Sequence, residues 1–162
     1  MFMNEDQNDM TSTPVENEQQ SDSASHDVAS QLAVVQSHIK TATHQRLPRY
    51  AAAPVTLVAV SKRQSEEKID AALAAGHRVF GENRVQEAMQ RWSDRRRAYS
   101  DLTLHLIGPL QTNKAAEAVA LFDVIEVVDR EKLACVLAKE MRHQNRYLPC
   151  YIHVNTGESR KN

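Results

Sequence analysis

An apolar stretch of the chain ends at a lysine. Residues 55–60 read Val-Thr-Leu-Val-Ala-Val, and Ser61 and Lys62 follow directly. The run is rich in β-branched residues and does not alternate with polar ones, which predicts a strand buried on both faces. Chemistry in α/β proteins gathers at the carboxyl ends of parallel strands, where an amine can act as a nucleophile. Lys62 is therefore the first candidate, and a solvated loop lysine is the alternative.

The amine of Lys62 needs a lowered pKa to react at neutral pH. Desolvation, or a neighbouring cation such as Lys114 or Arg130, would lower it. The free amine could then condense with an aldehyde. Two chemistries stay open from the residues alone: a Schiff base with a sugar or keto-acid substrate, or one with pyridoxal 5′-phosphate (PLP).

Polar residues also follow the other strand-like runs of the chain. Because the carboxyl ends of parallel strands share one rim, we expect these residues to define a common site. They are Lys62, the segment 81–83, His105, the segment 108–114, Asp129, Arg130, Asn155 and Thr156. His105 and His153 lie in apolar strands and could be metal ligands, but no His, Cys or Asp cluster has metal-ligand spacing. We expect hydrogen-bonded histidines and no metal site.

The strands and helices that position these residues form a strand–helix unit that repeats about every 24 residues. Strand-like runs begin near residues 55, 78, 102, 124 and 149, and helical patterns separate them. This alternation predicts an α/β fold with a parallel sheet and right-handed crossovers. Either an open doubly wound sheet or a (β/α)8 barrel fits, and five units by themselves favour the open sheet.

The predicted helices have recognisable ends. An amphipathic helix starts near Val28 with Asp27 as its cap, and Gly76 stands where a helix C-terminal glycine belongs. Asn83 and Asp129 are placed to cap two later helices. We interpret the run 95–97, three arginines, as a solvated helix end, in preference to an RNA- or phosphate-binding patch.

Composition restricts the classes of protein that fit. Residues 1–26 are acidic and polar, which predicts a disordered leader, with one domain over 27–162. The formal net charge of −1 gives no reason to expect nucleic-acid binding. No apolar run is long enough to cross a membrane and no signal peptide is present, so we expect a cytoplasmic protein. Cys135 and Cys150 match no metal or redox spacing and are expected to be buried free thiols.

Three motifs in order resemble the pyridoxal phosphate homeostasis protein family. They are Ala-Val-Ser-Lys at 59–62, Phe-Gly-Glu-Asn-Arg-Val-Gln-Glu at 80–87, and His-Leu-Ile-Gly-Pro-Leu-Gln-Thr-Asn-Lys at 105–114. The resemblance covers residues from about 30 to 162. It implies a (β/α)8 barrel like the alanine racemase N-terminal domain, which favours the barrel over the open sheet.

The resemblance also implies a function. It makes Lys62 the Schiff-base lysine for PLP, with Asn83 beside the cofactor ring and His105, Ile107 and Gly108 lining the same pocket. It implies a cytoplasmic monomer without established catalysis that buffers PLP or delivers it to apo PLP-dependent enzymes. Related racemases also need a tyrosine base from a second domain and subunit, which argues against racemisation. The alternatives are a racemase-like enzyme, a cofactor-free aldolase and an inactive fragment.

The chain departs from the family pattern in places. Leu104 replaces an aromatic residue, and Gln64-Ser65 replaces a turn that contains proline. The family barrel continues for about three more βα units, which hold its main phosphate-binding Ser/Gly motifs. We therefore expect a C-terminally truncated member with an incomplete barrel that binds PLP weakly or not at all and tends to aggregate.

Overall fold

The computed structural model describes residues 15–46 and 54–157, with side chains from Asp27 onward. Helices and strands alternate along the chain. In order they are α1 (Val15–His44), β1 (Ala59–Val60), α2 (Glu66–Ala74), β2 (Val79–Glu82), α3 (Val85–Ala98), β3 (Thr103–Leu106), a short 3₁₀ helix (Thr112–Lys114), α4 (Ala115–Leu121), β4 (Val124–Val128), α5 (Glu131–His143) and β5 (Cys150–Ile152). The predicted βα alternation is confirmed.

The five strands form one parallel sheet in the order β1-β2-β3-β4-β5. Each strand lies beside its neighbour in the chain, as in the wall of a (β/α) barrel. A doubly wound sheet would reverse its strand order at a switch point, and the described strands contain no such reversal. The α/β class and the incomplete barrel-type sheet are thus confirmed.

The core lies between one face of the sheet and the helices. Phe80 of β2 packs on Trp92 of α3 with ring centroids 4.7 Å apart, and both side chains are almost fully buried. Leu104 and Leu106 of β3 are fully buried on the same face. Each such side chain contributes about 1.5–3 kcal/mol by leaving water, so this layer is the main source of the sheet's stability.

Helix α1 begins earlier than the hydrophobic pattern indicates. It starts at Val15, so the predicted cap at Asp27 is wrong, and the expected disorder is wrong for residues 15–26. Residues 1–14 lie outside the described part of the chain. The segment from Val15 to His44 contains no glycine or proline, so a helix docked through Val28 and Leu32 can extend towards its N-terminus.

The first strand is not buried on both faces as predicted. Only Ala59 and Val60 pair with β2, and Val55 and Val60 are 44% and 46% exposed. Strand β1 is an edge of the described sheet, so the face of Val60 has no neighbouring layer among the described residues. Strand β5, at the other edge, is also exposed, with Ile152 at 81%.

The helix ends agree with the predictions at some positions only. Gly76 has φ +84° and closes α2 as predicted, with its N–H bonded to the Leu73 carbonyl and the His77 N–H bonded to the Ala72 carbonyl. The predicted caps Asn83 and Asp129 are wrong. The N-cap positions are Arg84 and Arg130, and neither side chain caps its helix.

Two surface predictions also need correction. Arg95 bonds Asp70 and Glu66, and Arg96 bonds Asp123, so these two arginines link α3 to its neighbours and only Arg97 fits the predicted solvated helix end. Cys135 and Cys150 are free but exposed, not buried. Among the described residues, no helix is both long and apolar enough to span a membrane.

Candidate functional site

The register of the sheet places the carboxyl ends of β1 to β4 side by side, and the predicted site residues lie at or just after these ends. Val60, Gly81, His105 and Val124 lie side by side across β1 to β4. Neighbours in register face the same way, and residues two apart in a strand share a face. Gly81 and His105 lie on the face of the sheet opposite the helices, since the residues that precede them, Phe80 and Leu104, pack into the core.

Asn83, Ile107 and Gly108 are brought together where β2 and β3 end. The Ile107 N–H donates to the Glu82 carbonyl at 2.9 Å, which extends the pairing of the two strands. A Cβ on Gly108 would lie 2.3 Å from the Asn83 carbonyl oxygen, so only glycine fits there. A Cβ on Gly81 would meet the Ile107 side chain at 2.9 Å. The backbone of Asn83 is therefore fixed by close packing.

His105 is buried and bonded to a carboxylate that the motif analysis missed. Its Nδ1 lies 2.5 Å from Oε1 of Glu126, which is in β4. The sequence did contain a signal for this contact, because Glu126 is the one acidic residue in the apolar run 124–128. The pair orients the His105 ring on the face opposite the helices, as expected for a hydrogen-bonded histidine. The described ranges contain no cluster of His, Cys, Asp and Glu able to hold a metal ion.

Lys62 follows β1 by two residues and is exposed. Within the described part of the chain, its ammonium group has no hydrogen-bond or ion-pair partner. The next residue, Arg63, has φ 60°, in the left-handed region that non-glycine residues rarely adopt. The Lys62 amine is therefore accessible, and the turn that carries it has an unusual backbone conformation.

A buried carboxylate lies beneath this turn. Glu82, at the end of β2, is fully buried. Its Oε1 accepts hydrogen bonds from Ser61 Oγ at 2.8 Å, from Trp92 Nε1 at 2.9 Å and from Arg91 Nη1 at 3.0 Å. Its Oε2 is buried without a hydrogen-bond partner among the described residues. The family motif contained Glu82, but the sequence did not show that it reaches the Lys62 turn.

Arg91 links α3 to the same region. Its Nε bonds Glu66 at 2.9 Å, and it bonds Glu82 as described above. Partial burial opposes the charged form of Arg91, but the hydrogen bonds to Glu82 and Glu66 outweigh it and raise the pKa of the guanidinium. Arg91 therefore remains a cation and compensates the buried charge of Glu82.

A polar cleft of about 740 Å³ opens beside Asn83. Lys114 and Arg130 line it, each with a carboxylate nearby: Lys114 Nζ is 3.0 Å from Glu117 and Arg130 Nη1 is 2.5 Å from Asp129. The other lining residues come from the ends of β2 and β3: Asn83, Arg84, Val85, Gln86, Pro109, Leu110 and Gln111. Three cationic side chains and no acidic one are among the residues that line the cleft, at the rim that carries the candidate residues.

Comparison with known proteins shows the family. The model of the alanine racemase N-terminal domain matches residues 22–161. The pyridoxal phosphate homeostasis protein of Pasteurella multocida (strain Pm70) is 36% identical over 128 residues, which are 78% of this chain and 54% of that protein. The protein of the same name from Vibrio cholerae is 41% identical over 110 residues, covering 66% of this chain and 47% of that protein.

Solved structures agree with the sequence matches. PipY of Synechococcus elongatus PCC7942 without PLP has a TM-score of 0.68 and 37% identity, covering 83% of this chain and 56% of PipY. PipY with PLP bound has a TM-score of 0.63 and 40% identity, covering 76% and 52%.

The chain spans about half the length of the curated relatives it matches. That the complete domain has about three further units stays a prediction. The match over residues 22–161 and the shared fold nevertheless decide the assignment. The chain belongs to the alanine racemase N-terminal domain family, and the curated relatives that it matches there are pyridoxal phosphate homeostasis proteins.

Proposed function

We propose that this chain is part of a cytoplasmic PLP-binding protein of vitamin B6 homeostasis, with Lys62 as the residue that holds the cofactor. One observation carries the proposal: an accessible lysine amine, without a partner among the described residues, stands on the sheet edge that also carries Asn83, His105 and Gly108. The names of the curated relatives and the PLP-bound structure of PipY support the choice of cofactor.

The residues at this edge fit PLP chemically. When bound, PLP supplies an aldehyde that condenses with an amine and releases water, and Lys62 is the amine at this edge. PLP also has an aromatic ring, a hydroxyl and a phosphate. Ile107 offers an apolar contact, Asn83 and His105 offer polar ones, and Lys114 and Arg130 supply positive charge nearby.

The protein residues have separate tasks in this proposal. Lys62 binds the cofactor covalently, and Asn83 lies beside the ring with a backbone fixed by Gly108. Glu126 keeps His105 in one orientation through the hydrogen bond between its Oε1 and His105 Nδ1. Ile107, half-buried over Gly81, excludes water from the apolar side of the pocket.

We further propose that the protein binds PLP without catalysing a reaction of its own, as a monomer, and passes the cofactor to apo PLP-dependent enzymes. The family is related to racemases, so the alternative is racemisation of an amino acid. Incubation of the PLP-loaded chain with alanine or serine enantiomers separates the two: no interconversion is expected, and turnover that depends on Lys62 would favour the racemase.

Borohydride trapping tests the cofactor and the lysine together. The chain is incubated with PLP, reduced with borohydride, digested and mapped by mass spectrometry. A pyridoxyl group on Lys62 is expected in preference to Lys68, an exposed lysine of α2 that serves as internal reference. Equal labelling of the two lysines would overturn the proposal. A Lys62→Ala variant controls for labelling at other lysines.

A further inference from the structure

The turn that carries Lys62 is bound at both ends by one side chain of α3. Arg91 Nη1 donates to the Ser61 carbonyl at 3.1 Å, and Arg91 Nη2 donates to the Gln64 carbonyl at 3.4 Å. Lys62 and Arg63 lie between these two carbonyls. The backbone on either side of the lysine is therefore tied to a single guanidinium group.

Glu82 holds the guanidinium in place. Its Oε1 accepts from Arg91 Nη1 at 3.0 Å and from Ser61 Oγ at 2.8 Å, so one oxygen contacts both the arginine and the first residue of the turn. Trp92 donates to the same oxygen and, fully buried, cannot move away. Arginine suits this task because its planar group presents several donors in fixed directions.

The buried pair of Glu82 and Arg91 contributes little net free energy to folding. Glu82 is fully buried, and its Oε2 finds no hydrogen-bond donor among the described residues. Apolar residues of similar size often stabilise such a position as well as a buried ion pair does, or better. Arg63 adds backbone strain at φ 60°. Strain and a buried charge beside an accessible amine point to a role in placing that amine.

Strand β1 by itself cannot place the lysine. It pairs through Ala59 and Val60 only and lies at the edge of the described sheet. The Ser61 N–H continues the pairing with a bond of 3.1 Å to the Gly81 carbonyl, and after that the polar contacts of Glu82 and Arg91 hold the chain. The position of Lys62 thus depends on these two side chains.

We propose that Glu82 and Arg91 are positioning residues that set the direction of the Lys62 amine towards the edge shared with Asn83 and His105. They act through the backbone of the 61–64 turn and do not contact the cofactor. This inference rests on the proposed PLP-binding function and adds to it the residues that determine how selectively Lys62 reacts.

The test compares two arginines of α3 that lie one helical turn apart. Arg91→Lys keeps the charge but cannot reach both carbonyls and Glu82 at once. Arg95→Lys is the matched control, because Arg95 shares the partner Glu66 and also pairs with Asp70, yet is bonded to no atom of the turn. Each variant is treated with PLP and borohydride, and the ratio of pyridoxyl label on Lys62 to that on Lys68 is measured.

The ratio is expected to fall by about tenfold or more in Arg91→Lys and to keep its wild-type value in Arg95→Lys, because small misplacements of a reacting group have effects of this size. An equal ratio in the two variants would overturn the inference. If Arg91→Lys does not fold, Ser61→Ala replaces it. That variant removes one hydrogen bond to Glu82, and a fall of about fivefold is expected.

Amide hydrogen exchange without PLP separates this inference from the proposed function. The Ser61 N–H donates to the Gly81 carbonyl of β2 and the Gln64 N–H to the Ser61 carbonyl, so Arg91→Lys should speed the exchange of both amides while Arg95→Lys leaves it unchanged. Unchanged exchange in both variants would refute the positioning role. If the wild-type chain shows no preference for Lys62 over Lys68, the proposed function fails, and the exchange result still decides whether Glu82 and Arg91 hold the turn.

Discussion

Two turns at the carboxyl ends of the strands are held in place by different interactions. The turn after β1, with Lys62, depends on hydrogen bonds from the side chains of Glu82 and Arg91. The turn after β3, with Gly108, depends on backbone packing so close that no Cβ fits against Asn83. The first is sensitive to the loss of one charged group and the second to the gain of one methyl group. This difference suits the proposed site, in which the Lys62 amine must point in one direction and the backbone at Asn83 and Gly108 must keep a fixed shape.

The largest effect is expected from removing the buried carboxylate. Glu82→Ala leaves Arg91, Trp92 and Ser61 without their shared acceptor, and the free energy of unfolding should fall by about 3 kcal/mol. Urea denaturation measures it. Glu87→Ala is the control, because Glu87 forms only an exposed pair with Arg84 and should change stability by less than about 0.5 kcal/mol. Equal losses of unfolding free energy in the two variants would show that Glu82 does not hold the Lys62 turn, and the contrast with the Gly108 turn would fail.

A methyl group on Gly108 should affect the second turn. Gly108→Ala places its Cβ 2.3 Å from the Asn83 carbonyl oxygen, a backbone atom that cannot rotate away. The expected loss is about 1–3 kcal/mol of unfolding free energy. Gly157→Ala, where a Cβ meets nothing within 4 Å, is the control and should be neutral. A stable Gly108→Ala variant would show that this wall is not closely packed.

The same substitution at the centre and at the edge of the sheet compares burial directly. Ile125→Val in β4, where the side chain is fully buried, should lower the free energy of unfolding by about 1 kcal/mol. Ile152→Val in β5, where the side chain is 81% exposed, should change it by less than about 0.5 kcal/mol. Thermal unfolding of both variants checks this, and similar shifts would mean that β5 is covered in solution.

The smallest effect concerns a half-buried ion pair, Lys114 with Glu117, beside the second turn. The hydrogen bond from Lys114 lowers the pKa of the Glu117 carboxyl in the folded protein. A lowered folded pKa contributes stability above the unfolded pKa that is lost as the pH falls through the folded one. Lys114→Met should therefore cost about 0.3 kcal/mol at neutral pH, with the difference from wild type disappearing on acidification. Lys132→Met, on the exposed surface of α5, should show no such pH dependence in the same denaturation series.

Local sequence patterns predicted the elements well and their ends less well. The βα alternation, Gly76 and the three motifs were all visible in the chain and are confirmed in the fold and the family. The caps at Asp27, Asn83 and Asp129 were wrong. Capping depends on the backbone angles of one or two residues, and tertiary packing sets these angles. The prediction that β1 is buried on both faces was also wrong, because the burial of a strand depends on the strands and helices that pack beside it.

The sequence by itself determined the order of strands and helices and the family, and it singled out the lysine that we propose as the centre of the site, since these depend on residue types at fixed spacings. Only the tertiary structure decided that His105 meets Glu126 and that Glu82 and Arg91 hold the turn of Lys62. These contacts join residues from 9 to 30 positions apart along the chain. Such pairings depend on register and helix packing, which no local pattern encodes.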